Sequence, residues 1–355
     1  MFQSSLQQKI DAIKSKRRPV KLGELTFDSP LILAPMASIC NAPFRLLMEE
    51  LGAGGTVSEL ISCHGINYKN EKTLEMLRVD SREKNVGIQL FGEDKESMAM
   101  AAQVAQDQGA KFIDINMGCP VRKVVTKGGG SALLKNPQDL GPFFRRVIKD
   151  LKLPLTIKIR MGWDADQINA DEIIHIAKEE GINMVAIHGR TRAQQYTGTA
   201  NWDYIEKLAE ISPLPLIGNG DLHTPNLVTK RLKQTRCPAL MIARGALRNP
   251  FIFLEALDPH REQVFTAQDY WPVVERLYQL ICEAFTQERT RLIQIRKLIV
   301  WFASGMPHSA KFRGMIFESQ DLDETMKISQ DYFLSLGEST KLLDLEEPFM
   351  TSGHG

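Results

Sequence analysis

The chain has 355 residues, of which 43% are hydrophobic and 25% are charged, and its formal net charge is +1. This composition is typical of a globular protein with one large or two smaller domains, and it excludes a global charge that would attract nucleic acid or membrane. The five cysteines include no CxxC pair, which argues against a disulfide framework and a zinc site. We therefore expect reduced thiols, no metal and a cytoplasmic location. No apolar run approaches the roughly 20 residues that cross a bilayer, so we expect no membrane contact.

Short apolar runs rich in β-branched residues alternate with amphipathic stretches along most of the chain. The predicted strands are 31–36, 56–60, 86–92, 112–118, 155–160, 184–190, 214–220 and 239–245. Eight strands of this kind close a (β/α)8 TIM barrel. A doubly wound open sheet has the same alternation, but it usually carries GxGxxG after its first strand, and this chain has none there. The helical pattern is weakest over 64–78.

The strand patterns stop near residue 258, and helical patterns follow. We therefore expect a barrel domain over residues 1–255, an all-helical domain over 256–345 and a disordered tail over 346–355. The helical part mixes basic and aromatic side chains, which form either a solvated face or a surface for nucleic acid. These residues are Arg289, Arg291, Arg296, Lys297, Lys311 and Arg313, with Trp301, Phe302 and Phe312.

Nearly every predicted strand ends in polar side chains. Catalysis in parallel barrels takes place at the C-terminal ends of the strands, so a near-complete ring of such residues predicts an active site. The ring consists of Met36, Ser38, Glu59, Gln89, Asn116, Cys119, Lys158, Arg160, His188, Arg190, Asn219, Asp221 and Arg244.

The residues after the last two strands indicate a phosphorylated ligand. Small residues at 218–221 and 243–246 provide backbone N–H groups where barrels commonly bind phosphate, and Arg244 adds a charged donor. Lys158 and Gln89 suit the pyrimidine edge of a flavin, although Lys158 also suits a Schiff-base mechanism. His188 is either a core residue or a donor to the ligand.

Cys119 lies in a loop after the fourth predicted strand, between a glycine and a proline, so its thiol should be presented to the site. A thiol with the ordinary pKa of about 8.5 is mostly protonated at neutral pH, and it acts either as a general acid or as a nucleophile. The basic residues of the loop either bind a polyanion or lower the pKa of the thiol. They are Arg122, Lys123 and Lys127, and the glycines at 128–130 predict a flexible lid.

Together these motifs resemble the dihydrouridine synthases, flavoenzymes that reduce uridine in RNA. The resemblance rests on DINMGCP and KGGGSALL, with LAPM, QLFG, TIKIR, HGRTR, YTG, NGD and MIARGA, in order from about residue 31 to about residue 253. The sequence IRKLIVWFASGMPHSAKFRG is similar to the C-terminal domain of the bacterial B-type branch. The first loop departs from the B-type pattern at Cys40, Asn41 and Ala42, where a Thr-Asp-Arg triplet is more usual.

The resemblance implies an FMN-containing barrel, NADPH as electron donor and a helical domain that binds tRNA. Cys119 would protonate C5 of the uracil while hydride from the reduced flavin reaches C6. The implied FMN residues are Pro35, Met36, Ala37, Gln89, Lys158, His188, Asn219, Gly220, Asp221, Ala243, Arg244 and Gly245. The expected substrate contacts are Asn116, Arg190, Tyr196, Arg296 and Lys297.

Two other functional classes remain open from the sequence. An FMN-dependent ene-type or dihydropyrimidine oxidoreductase acting on a small molecule would keep the phosphate site but not need the basic helical region. A non-catalytic RNA-binding barrel would need neither Cys119 nor a flavin. Flavin colour and RNA affinity distinguish the three classes.

Overall fold

The computed structural model describes residues 2–338 of the chain. Helix α1 (Ser4–Lys14) comes first, followed by an antiparallel hairpin of β1 (Val20–Leu22) and β2 (Leu25–Phe27). None of these three elements was predicted. Phe27 of the hairpin packs edge-on against Phe112 with the ring centroids 5.9 Å apart. The hairpin therefore closes the barrel at the end opposite to the strand C-termini.

Eight parallel strands form a closed barrel. They are β3 (Leu31–Leu33), β4 (Gly55–Ser62), β5 (Val86–Phe91), β6 (Phe112–Met117), β7 (Leu155–Arg160), β8 (Val185–His188), β9 (Leu216–Asn219) and β10 (Ala239–Ile242). The predicted TIM barrel is confirmed, and the open sheet is excluded because β10 pairs with β3.

Helices surround the barrel, and all of them except α4 (Glu71–Met76) contain buried side chains. They are α2 (Ala42–Glu50), α3 (Cys63–Asn67), α4 (Glu71–Met76), α5 (Lys95–Gln106), α6 (Arg122–Val125), α7 (Leu140–Ile148), α8 (Ala170–Glu179), α9 (Trp202–Ile211), α10 (Pro225–Gln234), α11 (Arg244–Arg248) and α12 (Ile252–Leu257). Side-chain caps fix where several of them begin; the carboxylate of Asp94, for example, accepts the N–H of Ser97 at 2.7 Å. The weakly patterned segment 64–78 contains the short helices α3 and α4.

Four helices follow the barrel: α13 (Ala267–Ala284), α14 (Glu288–Ala303), α15 (Ser309–Glu318) and α16 (Leu322–Ser335). Helix α13 packs on α2, and Arg276 forms an ion pair with Glu50 at 2.6 Å. The predicted boundary between residues 255 and 256 falls within α12, and the predicted tail lies outside the described residues. Within residues 2–338, no helix is long and apolar enough to cross a bilayer.

Candidate active site

A cavity opens at the C-terminal mouth of the barrel and contains about 1070 Å³ of empty space, part of it open to solvent. Small-molecule sites typically occupy roughly 300–1,000 Å³. Strand register places Asn116 beside Lys158, and His188 beside Asn219. The predicted site residues that line the cavity are Pro35, Met36, Ala37, Gln89, Asn116, Cys119, Lys158, His188, Tyr196, Asn219, Gly220, Asp221, Ala243 and Arg244.

Lys158 is held in the cavity by Asn219. Its Nζ donates to Asn219 Oδ1 at 3.0 Å, and Asn219 Nδ2 donates to the carbonyl of Met241 at 2.7 Å. Burial, and then the charge of Arg160, lower the pKa of Lys158 to about 8, although Asp114 opposes this shift. The ammonium is therefore mostly charged at neutral pH, and it would be stabilised by a ligand that becomes anionic.

His188 is a neutral ring at the end of β8. Its Nε2 lies 3.2 Å from Nη1 of Arg190. A guanidinium only donates, so Nε2 accepts and the ring proton lies on Nδ1. Burial lowers the pKa of His188 well below its ordinary value, and the charges of Arg160, Lys158 and Arg190 lower it further. The ring therefore offers Nδ1–H as a neutral hydrogen-bond donor near pH 7.

Arg190 has a structural position behind the cavity. It donates to Asp221 from Nη1 at 2.8 Å and from Nη2 at 2.9 Å. Its other N–H groups reach His188 and the carbonyls of Thr197 and Gly198. Because all five donors of its guanidinium are used, Arg190 holds Asp221 and His188 in place and has no donor left for a substrate.

Two glycines let the backbone approach closely at the end of the cavity formed by β9 and β10. Gly220 has φ of +134°, and a Cβ there would lie 2.5 Å from that of Ala200. A Cβ on Gly245 would lie 2.5 Å from the carbonyl oxygen of Leu222. Gly245 itself does not line the cavity but supports the residues before it, because no larger residue fits there.

Polar side chains at this end are arranged around Asp221. Arg244 Nη2 lies 3.9 Å and His223 Nε2 3.6 Å from Asp221 Oδ1. Burial would raise the pKa of Asp221, but hydrogen bonds from His223, Arg190 and the Ala200 N–H hold it well below its ordinary value. His223 Nδ1 is buried with no hydrogen-bond partner among residues 2–338. His223 was not among the predicted site residues, although it lies two residues after Asp221.

Cys119 lies half-buried in the loop after β6 and lines the same cavity. Its N–H donates to Asn116 Oδ1 at 2.8 Å, and its carbonyl accepts the Ser131 hydroxyl at 2.9 Å. Arg160 Nε donates to the carbonyl of Gly118 at 2.8 Å. Burial raises the pKa of the Cys119 thiol, although the charge of Arg160 opposes this shift. Cys119 is therefore a protonated thiol at neutral pH, which suits a proton donor better than a nucleophile.

The glycines at 128–130 allow the following loop to fold back beside Cys119. Gly128 and Gly130 have φ of +87° and +59°, which favours glycine. A Cβ on Gly129 would lie 3.5 Å from backbone atoms of Gly92. The loop continues into the 3-10 helix Gly130–Lys135, which contains Ser131. The three glycines therefore allow the backbone of this loop to pass closely over the end of β5.

Two predicted substrate residues, Arg296 and Lys297, do not line the cavity. Lys297 on α14 donates from Nζ to the backbone carbonyl of Ser38. The backbone N–H of Ser38 in turn donates to the carboxylate of Glu59. Arg296 donates to the carbonyl and the hydroxyl of Ser319. Lys297, Ser38 and Glu59 therefore join α14 to the barrel, whereas Arg296 is used within the helical region.

The unusual first loop also contacts α14. Asn41 caps α2 by accepting the N–H of Phe44 at 3.1 Å, and its Nδ2 donates to Gln294 Oε1 at 3.2 Å. The carbonyl of Cys40 accepts Nη1 of Arg45 at 2.8 Å. The departure from the B-type pattern therefore lies in a packed connection between the barrel and the helical region.

The basic and aromatic surface differs from the one that the sequence predicts. Phe302 and Phe312 are 0% and 2% exposed, so the prediction that these rings belong to a surface was wrong: they pack inward on their helices. Arg291 donates to the carbonyl of Phe285 at 2.6 Å. Phe317, which was not among the predicted surface residues, is 59% exposed. The exposed basic residues of the region include Arg289, Lys311 and Arg313.

The cavity meets the chemical requirements of a flavin mononucleotide. Lys158 and Gln89 supply a cation and an amide for the polar edge of the ring, and His188 supplies a neutral donor. Arg244 and the unpaired Nδ1 of His223 supply a cation and a free polar atom for a phosphate. Among the described residues, no three His, Cys, Asp or Glu side chains are grouped to hold a metal ion.

Known proteins similar to this chain share one activity in their names. The sequence model described as dihydrouridine synthase matches residues 32–336. Over 331 residues, the chain is 32% identical to the probable tRNA-dihydrouridine synthase of Rickettsia conorii, covering 91% of this chain and 99% of that protein. Over 325 residues, it is 34% identical to the tRNA-dihydrouridine synthase B of Xanthomonas campestris, covering 89% and 96%.

Solved structures support the barrel fold at low sequence identity. Histamine dehydrogenase from Rhizobium sp. 4-9 aligns with a TM-score of 0.54 at 13% identity, covering 76% of this chain and 51%, about half, of that protein. An old yellow enzyme homologue from Zymomonas mobilis aligns with a TM-score of 0.50 at 12% identity, covering 68% and 90%. The resemblance drawn from the motifs is confirmed by the family match, which spans nearly all the described residues. The chain belongs to the dihydrouridine synthase family, the flavin-dependent enzymes that reduce uridine in RNA.

Proposed function

We propose that this chain reduces uridine to 5,6-dihydrouridine in tRNA, with FMN as its flavin and NADPH as its reductant. The observation that carries this proposal is that one cavity holds both a protonated thiol, Cys119, and a set of groups that fits FMN. The names of the relatives support tRNA as the RNA substrate.

The residues of the cavity divide between the parts of FMN. Pro35, Met36 and Ala37 would line the ring, Gln89 and Lys158 would bind its pyrimidine edge, and His188 would lie beside it. The phosphate would be held after β9 and β10 by backbone N–H groups of the segments that contain Gly220 and Ala243, and by the side chains of Arg244 and His223. Asn219, Asp221 and Gly245 would support these segments, since the Asp221 carboxylate is an anion paired with Arg190. When bound and reduced, the flavin supplies the hydride that C6 of the uracil receives.

Cys119 supplies the proton. As C6 receives hydride, the thiol transfers its proton to C5, the C5=C6 double bond becomes a single bond, and solvent reprotonates the thiolate. Asn116 Oδ1 accepts the N–H of Cys119 at 2.8 Å. The NH2 group of Asn116 has a second N–H, which could donate to the uracil. Tyr196, which lines the same cavity, would contact the bound nucleotide.

The helical region from α13 onward would bind the RNA. The uridine must leave the base stack to reach the cavity, which costs a few kcal/mol, and contacts to phosphates offset this cost. Arg289, Lys311 and Arg313 are exposed cations, and Phe317 is an exposed ring suited to stacking on a base.

Two half-reactions under anaerobic conditions test the proposal. NADPH should bleach the flavin absorbance of the purified protein, and unmodified tRNA should then restore it. Cys119→Ala should still be bleached but should be reoxidised by tRNA far more slowly, whereas Cys282→Ala, outside the cavity, should behave as the wild type. Reoxidation by free uracil but not by tRNA would favour a small-molecule reductase, and failure to bind flavin would favour a non-catalytic RNA-binding protein.

A further inference from the structure

A buried carboxylate, Asp114, lies under the cavity and has no part in the chemistry described above. It is 4% exposed, on β6, two residues before Asn116. Its Oδ1 accepts the Thr156 hydroxyl at 2.6 Å, and its Oδ2 accepts Gln89 Nε2 at 2.7 Å. Both partners are neutral, and burying a carboxylate is costly, so its presence in a barrel interior calls for a physical reason.

The hydrogen bonds of Asp114 continue to the reactive loop. Gln89 Oε1 accepts Asn116 Nδ2 at 2.8 Å. Asn116 Oδ1 in turn accepts the N–H of Gly118 at 3.2 Å and that of Cys119 at 2.8 Å. An unbroken chain of hydrogen bonds therefore leads from the buried carboxylate to the backbone of the residue that carries the thiol.

The hydrogen bonds in this series all run in one direction, from donor to acceptor, and Asp114 sets that direction. An ionised carboxylate only accepts, so Gln89 must turn its NH2 group toward Asp114 and its oxygen toward Asn116. Asn116 must then turn its NH2 group toward Gln89 and its oxygen toward the loop. If Asn116 were turned over, its NH2 group would face the N–H of Cys119, donor against donor, and the bonds that hold the loop would be lost.

We propose that Asp114 is a positioning residue that fixes Cys119 by orienting Gln89 and Asn116. This inference rests on the proposed function, in which Cys119 gives a proton to the uracil. Burial raises the pKa of Asp114 to about 6, while the bonds from Gln89 and Thr156 and the charge of Lys158 oppose the shift. Asp114 is therefore mostly ionised, and accepts only, at pH 7 and above.

A double-mutant cycle with Cys119 tests the proposal in the flavin-loaded protein. The rate measured is the single-turnover reoxidation of reduced flavin by tRNA. Asp114→Ala should slow this reoxidation about tenfold or more. A small misplacement of a reacting group lowers the reaction rate on the order of 10- to 100-fold. In a Cys119→Ala background the same change should slow reoxidation much less, because the thiol that Asp114 positions is gone and only its effect on Gln89 remains.

The conservative variant Asp114→Asn provides the rescue. Its oxygen can still accept from Gln89 while its NH2 group donates to the Thr156 hydroxyl, so its rate should stay within about threefold of the wild type. Flavin reduction by NADPH does not need the thiol but does involve Gln89, which Asp114 also orients. Its rate should therefore fall less in Asp114→Ala than the rate of reoxidation by tRNA, and it should stay within about twofold of the wild type in Asp114→Asn. If Asp114→Ala does not retain flavin, Asp114→Leu, which fills the space without an acceptor, takes its place.

Equal slowing by Asp114→Ala with and without the thiol would overturn the proposal, because it would show a general structural effect. An unchanged rate of reoxidation in Asp114→Ala or Asp114→Leu would overturn it as well. A wild-type protein that tRNA does not reoxidise would instead refute the proposed function, and the inference would fall with it.

Discussion

Arg190 and Asp221 form a two-point ion pair, with Nη1 2.8 Å from Oδ1 and Nη2 2.9 Å from Oδ2. The pair joins the loops after β8 and β9 next to the proposed phosphate site. Arg190 is 2% exposed, so its charge depends on this partner. The same ion pair therefore stabilises the fold and shapes the proposed phosphate site at the C-terminal end of the barrel.

We expect Asp221→Ala to lower the free energy of unfolding by about 3–5 kcal/mol, because it leaves the Arg190 charge buried and unpaired. Urea unfolding measures this loss. The matched control is Glu210→Ala, which breaks an ion pair with Arg236 whose two side chains are 58% and 59% exposed. That change should cost less than about 1 kcal/mol. Similar losses in both variants would contradict this account of the pair.

FMN should stabilise the protein more than riboflavin does. At a concentration of about 100 times its dissociation constant, a ligand adds about 2.7 kcal/mol to the free energy of unfolding. Riboflavin lacks the phosphate and should add less at the same concentration. Arg244→Ala should reduce the difference between the two ligands in thermal unfolding, whereas Lys233→Ala, exposed on α10, should not. Equal stabilisation by both flavins would place the phosphate elsewhere.

Alkylation should reveal the raised pKa of Cys119. Because burial favours the protonated thiol, iodoacetamide should modify Cys119 slowly at neutral pH and faster only above the ordinary thiol pKa of about 8.5. A Cys282→Ala background removes the other half-buried cysteine, and Cys40, Cys63 and Cys237 are buried. Rapid alkylation of Cys119 at pH 7 would indicate a thiolate, and the proton-donor role would then fail.

His188 should make the fold less stable in acid. Its pKa in the folded protein lies well below 6.5, whereas in the unfolded chain it is ordinary. As pH falls below about 6.5, the unfolded chain takes up a proton that the folded protein does not, so stability falls, by up to about 2 kcal/mol at pH 5. His188→Gln should reduce this dependence in urea unfolding. An unaltered pH profile in His188→Gln would show that the ring titrates freely.

The salt dependence of tRNA binding should reveal the RNA surface. Each lost phosphate contact lowers the slope of log K against log salt by about 0.7–0.9. Arg289→Ala and Arg313→Ala should each reduce the slope by an amount of this order. Lys178→Ala, at the exposed end of α8, is the control and should not change it. Identical slopes in all variants would mean that RNA binds away from the helical region.

The barrel and much of its mouth were predictable from local patterns. A buried strand is recognisable as a short apolar run, and in a barrel the C-terminal ends of all strands lie at one mouth. The positions of Lys158 and Cys119 in the repeat were therefore enough to predict that both lie at this mouth. The strand order needed no further information, because successive strands pair. The short hairpin β1–β2 was missed, since each of its strands has only three residues with which to show a period.

Side-chain partners were not predictable in the same way. Arg190 looked like a substrate contact by its place in the motif, but its pairing with Asp221 depends on the contact between two loops. Phe312 lies between Lys311 and Arg313, and Phe302 follows Arg296 and Lys297 on α14, yet both rings face the core because helical periodicity places nearby residues on different faces. The role inferred for Asp114 likewise depends on bonds across strands.

The most direct test of the central claim is a mass-spectrometric map of dihydrouridine in tRNA and ribosomal RNA from cells that lack this gene. The cells are complemented with the wild type or with Cys119→Ala. We predict that one or more tRNA positions lose dihydrouridine and that only the wild type restores it. A map with no position changed, or one restored equally by Cys119→Ala, would contradict the account.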